Sequence, residues 1–221
     1  QHIDAEKVLS ERCKSLGCEL RTVADTEIKV CSLGLRDQSF EYRDWHDVHI
    51  SLAGTYQFKN ASLAIMATEA LRDKGCDISD QAVYAGLKAA RWVGRFTQIA
   101  EAPAVIIDGA HNDGAAIALE DSVQQYFGDK KVILVIGIFK DKEYESVLAH
   151  LVPLAKQVIT VETPNSDRAL PADVLMEKAF RYSEHVEAAE SICKGMEAAH
   201  SYALQDDVIL VCGSLSFLGD V

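Results

Sequence analysis

The chain has 221 residues, 48% of them hydrophobic and 25% charged, with a formal charge of −12. That length and balance describe an ordinary globular protein with one large domain, or one and a part, and enough apolar material for a buried core. The acidic balance argues against a nucleic-acid or anionic-membrane partner, which would call for a basic patch, and no apolar run reaches transmembrane length.

Residues 4–17 carry Val8, Leu9, Cys13 and Leu16 at helical spacing, with Gly17 as a stop. Four strand-like segments follow, Cys18–Val23, Glu27–Cys31, Gln38–Tyr42 and Val48–Leu52, each bounded by polar or glycine-containing turns. A helical pattern then runs from about Asn60 to Lys74, with Asn60 a good N-cap, and a second is entered at Ser79 or Asp80 and reaches about Ala90. From Phe96 onward strand and helix alternate. Strands are expected near 104–107, 131–136, 156–161 and 207–212, and helices near 113–127, 142–151, 171–181 and 189–203. Such alternation implies a mainly parallel sheet covered on both faces. Gly94 lies in the link between the two regions, near residues 91–95.

The six cysteines form no Cys-x-x-Cys pair, and Cys212 falls in an apolar strand, so reduced thiols in a cytoplasmic protein are expected. No signal peptide is visible, and the chain begins with Gln1 rather than Met, which suggests a processed or cut product.

The most informative stretch is Asp108-Gly109-Ala110-His111-Asn112. It joins an apolar strand to an amphipathic helix, where an α/β protein gathers ligand-binding groups beside free helix N–H groups. The bland alternative is a turn closed by Asp108 and a helix capped by Asn112 or Asp113. Arg95 offers the planar, permanently charged fork suited to phosphate, or else a surface ion pair. Lys140, Asp141 and Lys142 follow another apolar strand and read as a solvated turn when taken alone. Ser214 follows Gly213 after the last strand, where a Gly-Ser turn can cradle a carboxylate. No Gly-x-Ser-x-Gly elbow and no Gly-x-x-x-x-Gly-Lys-[Ser/Thr] phosphate loop occurs anywhere in the chain.

Taken together, several motifs in this order resemble a known family. They are Gly54-Thr-Tyr-Gln-Phe-Lys-Asn-Ala61, Trp92-Val-Gly-Arg-Phe96, the Asp108–Asn112 stretch, Gly137-Ile-Phe-Lys-Asp-Lys142, Arg168-Ala-Leu-Pro171 and Gly213-Ser214. From about residue 50 to 219 the chain is similar to the carboxyl-terminal region of folylpolyglutamate synthase and dihydrofolate synthase, members of the Mur ligase superfamily. The resemblance implies an α/β fold with a Rossmann-like, mainly parallel sheet. Residues 1–91 would be the carboxyl-terminal part of a central ATPase domain, and residues 92–221 the glutamate-ligase domain. It also implies that Asn60, Arg95 and Asp108 contact ATP. His111 and Ser214 would stand at the glutamate end, with Asp141 at the lip of the cleft. Tyr56 stands where the family has His, Val93 where it has Pro, and Glu143 where it has Asp.

The implied reaction is ATP-dependent addition of L-glutamate to folate or dihydropteroate through an acyl phosphate. The partners would be those small molecules, with neither nucleic acid nor membrane, and the protein a monomer. The magnesium ligands and the phosphate loop are expected upstream of Gln1. A Mur-type cell-wall amino-acid ligase and a non-catalytic nucleotide-binding module are the alternatives.

Overall fold

The computed structural model describes residues 3–164 and 167–221. Helix α1 (Ile3–Leu16) leads into an extended stretch and then a three-stranded antiparallel sheet, β1 (Ile28–Ser32), β2 (Gln38–Tyr42) and β3 (Trp45–Ile50), in the order β1-β2-β3. Cys18–Val23, expected as a strand, is not one: the stretch lies mostly exposed and pairs with no strand among the described residues. Alternation alone cannot make a strand without a partner. Against this sheet pack α2 (Tyr56–Arg72) and α3 (Asp80–Ala89). Their shared core includes Phe40, Tyr42, Val48, Phe58 and Ile65.

Helix α2 begins at Tyr56, so Asn60 sits inside the helix and is not its cap. The reason is tertiary. The Gly54 N–H donates to the Tyr126 hydroxyl (3.1 Å) and the Thr55 N–H to Ser122 Oγ (3.0 Å), so the entry to α2 is met by side chains far away in sequence. A local capping signal is therefore unnecessary, and its absence hid the true start. Ser79 caps α3 as expected, accepting from the Ala82 N–H.

The second unit is a six-stranded sheet in the order β4-β5-β9-β6-β7-β8. Its parallel strands are β5 (Ala104–Ile107), β6 (Val132–Ile136), β7 (Ala155–Thr160), β8 (Val186–Ala188) and β9 (Val208–Cys212). Helices α4 (Asp113–Phe127), α5 (Tyr144–Leu151) and α6 (Ala172–Ala179) cover one face, and α7 (Ile192–Tyr202) covers the other. Strands β5, β6 and β9 are buried along their whole length, which accounts for their unbroken Val/Ile/Leu character. Cys212 is fully buried, and burial pushes its thiol pKa well up, in keeping with an inert, apolar role.

Two strands were not anticipated. β4 (Thr97–Glu101) pairs antiparallel with β5 at one edge, and the short β8 closes the other. Both are edge strands with only partial burial, so neither shows the apolar run that marks the interior strands.

Gly213 ends β9 with φ +110°, and a Cβ there would run into the Gly137 carbonyl oxygen at the end of β6. Gly213→Ala should therefore cost on the order of 2 kcal/mol or more in urea denaturation. Leu204→Ala, at an exposed position, should change stability by no more than about 0.5 kcal/mol. Equal effects of the two substitutions would contradict this account of the β9–β6 junction.

Candidate active site

Because β5, β9, β6 and β7 are mutually parallel, their carboxyl ends lie along one edge of the sheet. Asp108 follows β5, Ser214 follows β9, and Asp141 follows β6, with Arg168 arriving after β7. His111 is carried on the turn from β5 to α4. The expected sharing of one rim by Asp108, His111, Asp141 and Ser214 is thus a consequence of strand direction.

Asp108 is the most constrained of these residues. Only 4% of it is exposed, yet its carboxylate is well supplied with donors. Oδ2 accepts from the Tyr56 hydroxyl (2.9 Å) and the Phe96 N–H (2.7 Å), and Oδ1 from the Ala110 N–H (2.8 Å). Burial nevertheless pushes its pKa up, against the lowering effect of these hydrogen bonds and of the Arg95 charge. Burial, reinforced by the adjacent carboxylate, also drives the Tyr56 phenol far above its usual range, so it stays a donor.

Asp108 opens onto a cavity of about 520 Å³ at the seam between the two units. Tyr56, Gln57 and Asn60 line it from the first turns of α2, Trp92 and Arg95 from the linker, and Ala115 and Ala118 from α4. The Asn60 side-chain NH₂ donates to Gln57 Oε1 (3.0 Å), which orients both amides on the wall. Arg95 has no carboxylate partner among the described residues, so its surface ion-pair alternative is not realised. Room for it is made by Gly109: a Cβ there would meet Arg95 Nη1 at 3.3 Å and crowd Leu215. The Gly109 N–H is in turn held by the Gly94 carbonyl (2.9 Å), which ties the linker to the Asp108 turn.

The remaining candidates stand on the rim but do not line this cavity. His111 Nδ1 lies 2.7 Å from the Gly109 carbonyl, a contact that requires the proton on Nδ1 and leaves Nε2 open. Asn112 caps α4, accepting from the Ala115 N–H (3.0 Å). Ser214 is buried and turned into its own loop, where its hydroxyl pairs with Ser216 Oγ (2.8 Å) and accepts from the Ser216 N–H (3.2 Å). Asp141 is engaged by Arg168 (2.7 Å), whose hydrogen bond holds its pKa below the ordinary carboxylate value, helped by the guanidinium charge. The Arg168 guanidinium also lies over the Phe139 ring, 4.5 Å from its centroid. Glu143, at the start of α5, accepts the Asp113 N–H (3.0 Å) and so binds that helix to α4.

Sequence reasoning gave no role to three participants. Trp92, 64% exposed, and Arg168 lay inside motifs noted for other residues. Tyr56 drew notice only as a departure from a family pattern. Its reach to Asp108 joins positions far apart in the chain, and no local signal could report that.

Comparison with known proteins places the chain in a family. Residues 94–215 match the family model described as Mur ligase, glutamate ligase domain. The chain belongs to the Mur ligase family. Its curated relatives within that family include the dihydrofolate synthase/folylpolyglutamate synthase of Bacillus subtilis (strain 168), 29% identical over 182 residues that cover 82% of this chain and 42% of the relative. Among solved structures, Mycobacterium tuberculosis folylpolyglutamate synthase complexed with ADP superimposes with a TM-score of 0.86 at 25% identity, covering 100% of this chain and 52% of that one. An Escherichia coli FolC structure in complex with DHPP and ADP gives 0.76 at 26% identity, covering 94% and 48%. This Mur ligase chain spans about half the length of the relatives it matches.

The raised Asp108 pKa has a consequence for stability. A carboxyl group whose folded pKa lies above its unfolded value stabilises the fold at low pH, and that contribution is lost as pH rises through the folded pKa. The stability advantage of the native chain over Asp108→Asn, measured by urea denaturation, should therefore shrink as pH climbs from below the ordinary Asp range, then level off. An advantage that grows with pH would mean that the carboxylate is favoured in the fold.

Proposed function

We propose that this chain is the carboxyl-terminal part of an ATP-dependent ligase that joins L-glutamate to folate or dihydropteroate. One observation carries the reading: Asn60, Arg95 and Asp108 converge on a single cavity at the seam of the two units. Its walls are largely apolar, which suits a nucleoside. Asn60 and Asp108 supply polar edges for it, and Arg95, without a carboxylate partner among the described residues, supplies a fork for phosphate. The relatives' ADP complexes support the same assignment. Residues 1–91 belong in this proposal to the ATPase domain and residues 92–221 to the glutamate-ligase domain.

The chemistry follows from the poor reactivity of a carboxylate. Transfer of the terminal phosphoryl group of ATP to the acceptor's carboxylate oxygen gives an acyl phosphate and ADP. The glutamate amine then attacks the carbonyl carbon, phosphate departs with the C–O bond electrons, and the amine loses a proton. His111 Nε2, left open by the Nδ1 bond to Gly109, is the proton acceptor or oxyanion donor on this rim. Ser214 shapes the turn beside it, and Asp141 and Arg168 hold one another at the lip. Magnesium would neutralise phosphate charge. No group of three or more potential metal ligands gathers among the described residues. No described helix is long and apolar enough to cross a membrane.

Two measurements test the reading. The chain as it stands, lacking any phosphate-loop motif, should neither hydrolyse ATP nor ligate glutamate. ATP turnover by it that is abolished by Asp108→Ala would sink the proposed division of labour. In a protein extended to its relatives' length, Arg95→Ala should raise KM for ATP on the order of ten- to a hundredfold, with only partial recovery in Arg95→Lys. Unchanged ATP kinetics in the Ala variant would remove Arg95 from the nucleotide site.

A further inference from the structure

The buried carboxylate of Asp108 has four in-plane acceptor sites, and three are occupied in this fold. Two of its donors are backbone N–H groups of Phe96 and Ala110, fixed by the linker and by the turn after β5. The third is a side chain from the other unit, the Tyr56 hydroxyl at the first residue of α2. Tyr56 is also a wall of the same cavity as Asp108, one helical turn from Asn60. Oδ2 is filled by Tyr56 and Phe96, so the one unused acceptor site belongs to Oδ1. Such a carboxylate offers a hydrogen-bond acceptor, which matches a hydroxyl or amino group and repels an anionic phosphate.

We propose that Tyr56 is a positioning residue of the nucleotide cavity: by donating to Asp108 Oδ2 it fixes that carboxylate so that Oδ1 keeps one acceptor site for a hydroxyl or amino group of the nucleoside. The proposal rests on the reading of the cavity as a nucleotide site. The same bond links α2, which carries Gln57 and Asn60, to the turn that carries His111, so the nucleoside wall and the reacting edge hold a common register. Charged and titratable groups facing Asp108 are Tyr56 from α2, Arg95 from the linker and the buried Cys212 thiol from β9. Of these, Tyr56 donates directly to the carboxylate and Arg95 acts through its charge.

The experiment is ATP saturation kinetics across pH on the ligase at its relatives' length, unsubstituted and as Tyr56→Phe. Loss of a hydrogen bond to a charged group should raise KM for ATP roughly tenfold with kcat nearly unchanged. The acid limb of the KM profile should also move to higher pH, because the carboxylate loses a donor that favours its charged form. On an Asp108→Asn background the Tyr56→Phe effect should disappear. Tyr56→His, which restores a ring N–H donor, should recover part of the loss and carries the same test if the Phe variant does not fold. An active enzyme whose Tyr56→Phe variant keeps the native KM and pH profile overturns this proposal alone. So does a KM increase that persists undiminished on the Asp108→Asn background, which would reduce Tyr56 to packing. An unsubstituted protein without ATP-dependent ligation overturns the functional reading and this proposal with it.

Discussion

Ionising a carboxylate that is almost wholly shielded from water costs several kcal/mol unless donors replace the lost hydration. At Asp108 the donors come from three separate segments: the start of α2, the linker before β4, and the turn after β5. Everything around the cavity is arranged by that requirement. The linker must bend so that the Phe96 N–H points at Oδ2. The Asp108 turn must tighten so that Ala110 meets Oδ1, and α2 must approach closely enough for a phenol to reach across. Arg95 and Asn60 are delivered to the cavity as a result, one by the linker and the other by α2.

A second set of polar contacts fixes the same approach from behind. The Tyr126 hydroxyl on α4 donates to the Gln38 side chain and accepts the Gly54 N–H, and Ser122 receives the Thr55 N–H. Gln38 is fully buried and donates onward to the Leu52 carbonyl (2.7 Å). Buried polar networks of this kind add little net stability per bond, but each unmet member would carry a desolvation penalty. They therefore select one register between the small antiparallel sheet and α4 over its neighbours. Apolar contacts such as Phe96 on Tyr126, with ring centroids 5.1 Å apart, supply the attraction, and the polar groups decide the position.

The rim beyond the cavity follows a different logic. Gly213 and Gly137 pass so closely that no side chain fits between them, which brings the β9 and β6 turns together. Asp141 and Arg168 satisfy one another at the lip, and Ser214 is occupied by its own turn. In this arrangement the imidazole of His111 has its Nε2 free of protein partners among the described residues, and the Arg95 guanidinium faces the cavity; the proposed function uses both. On the proposed reading, that division separates a nucleoside end, built from both units, from a reacting edge built from the parallel sheet alone.

The sequence by itself determined the elements whose signal is local. Unbroken apolar runs marked β5, β6 and β9, the βα alternation marked β7, amphipathic spacing marked α4 to α7, and Asn112 and Ser79 marked caps that the fold uses. Strand direction then followed from the βα alternation, and with it the placing of Asp108, His111, Asp141 and Ser214 on one edge. The tertiary structure alone decided what depends on partners distant in sequence. The segment Cys18–Val23 alternates but meets no strand, whereas Thr97–Glu101 is too polar to announce itself and becomes one because β5 lies beside it. Helix α2 starts at Tyr56 because side chains of α4 receive the N–H groups of Gly54 and Thr55 just before it, and Tyr56 acquires its bond to Asp108 because the two units dock. Periodicity and capping are properties of neighbours along the chain. Pairing, long-range capping and the burial of a carboxylate are properties of neighbours in space, and only the folded chain brings those together.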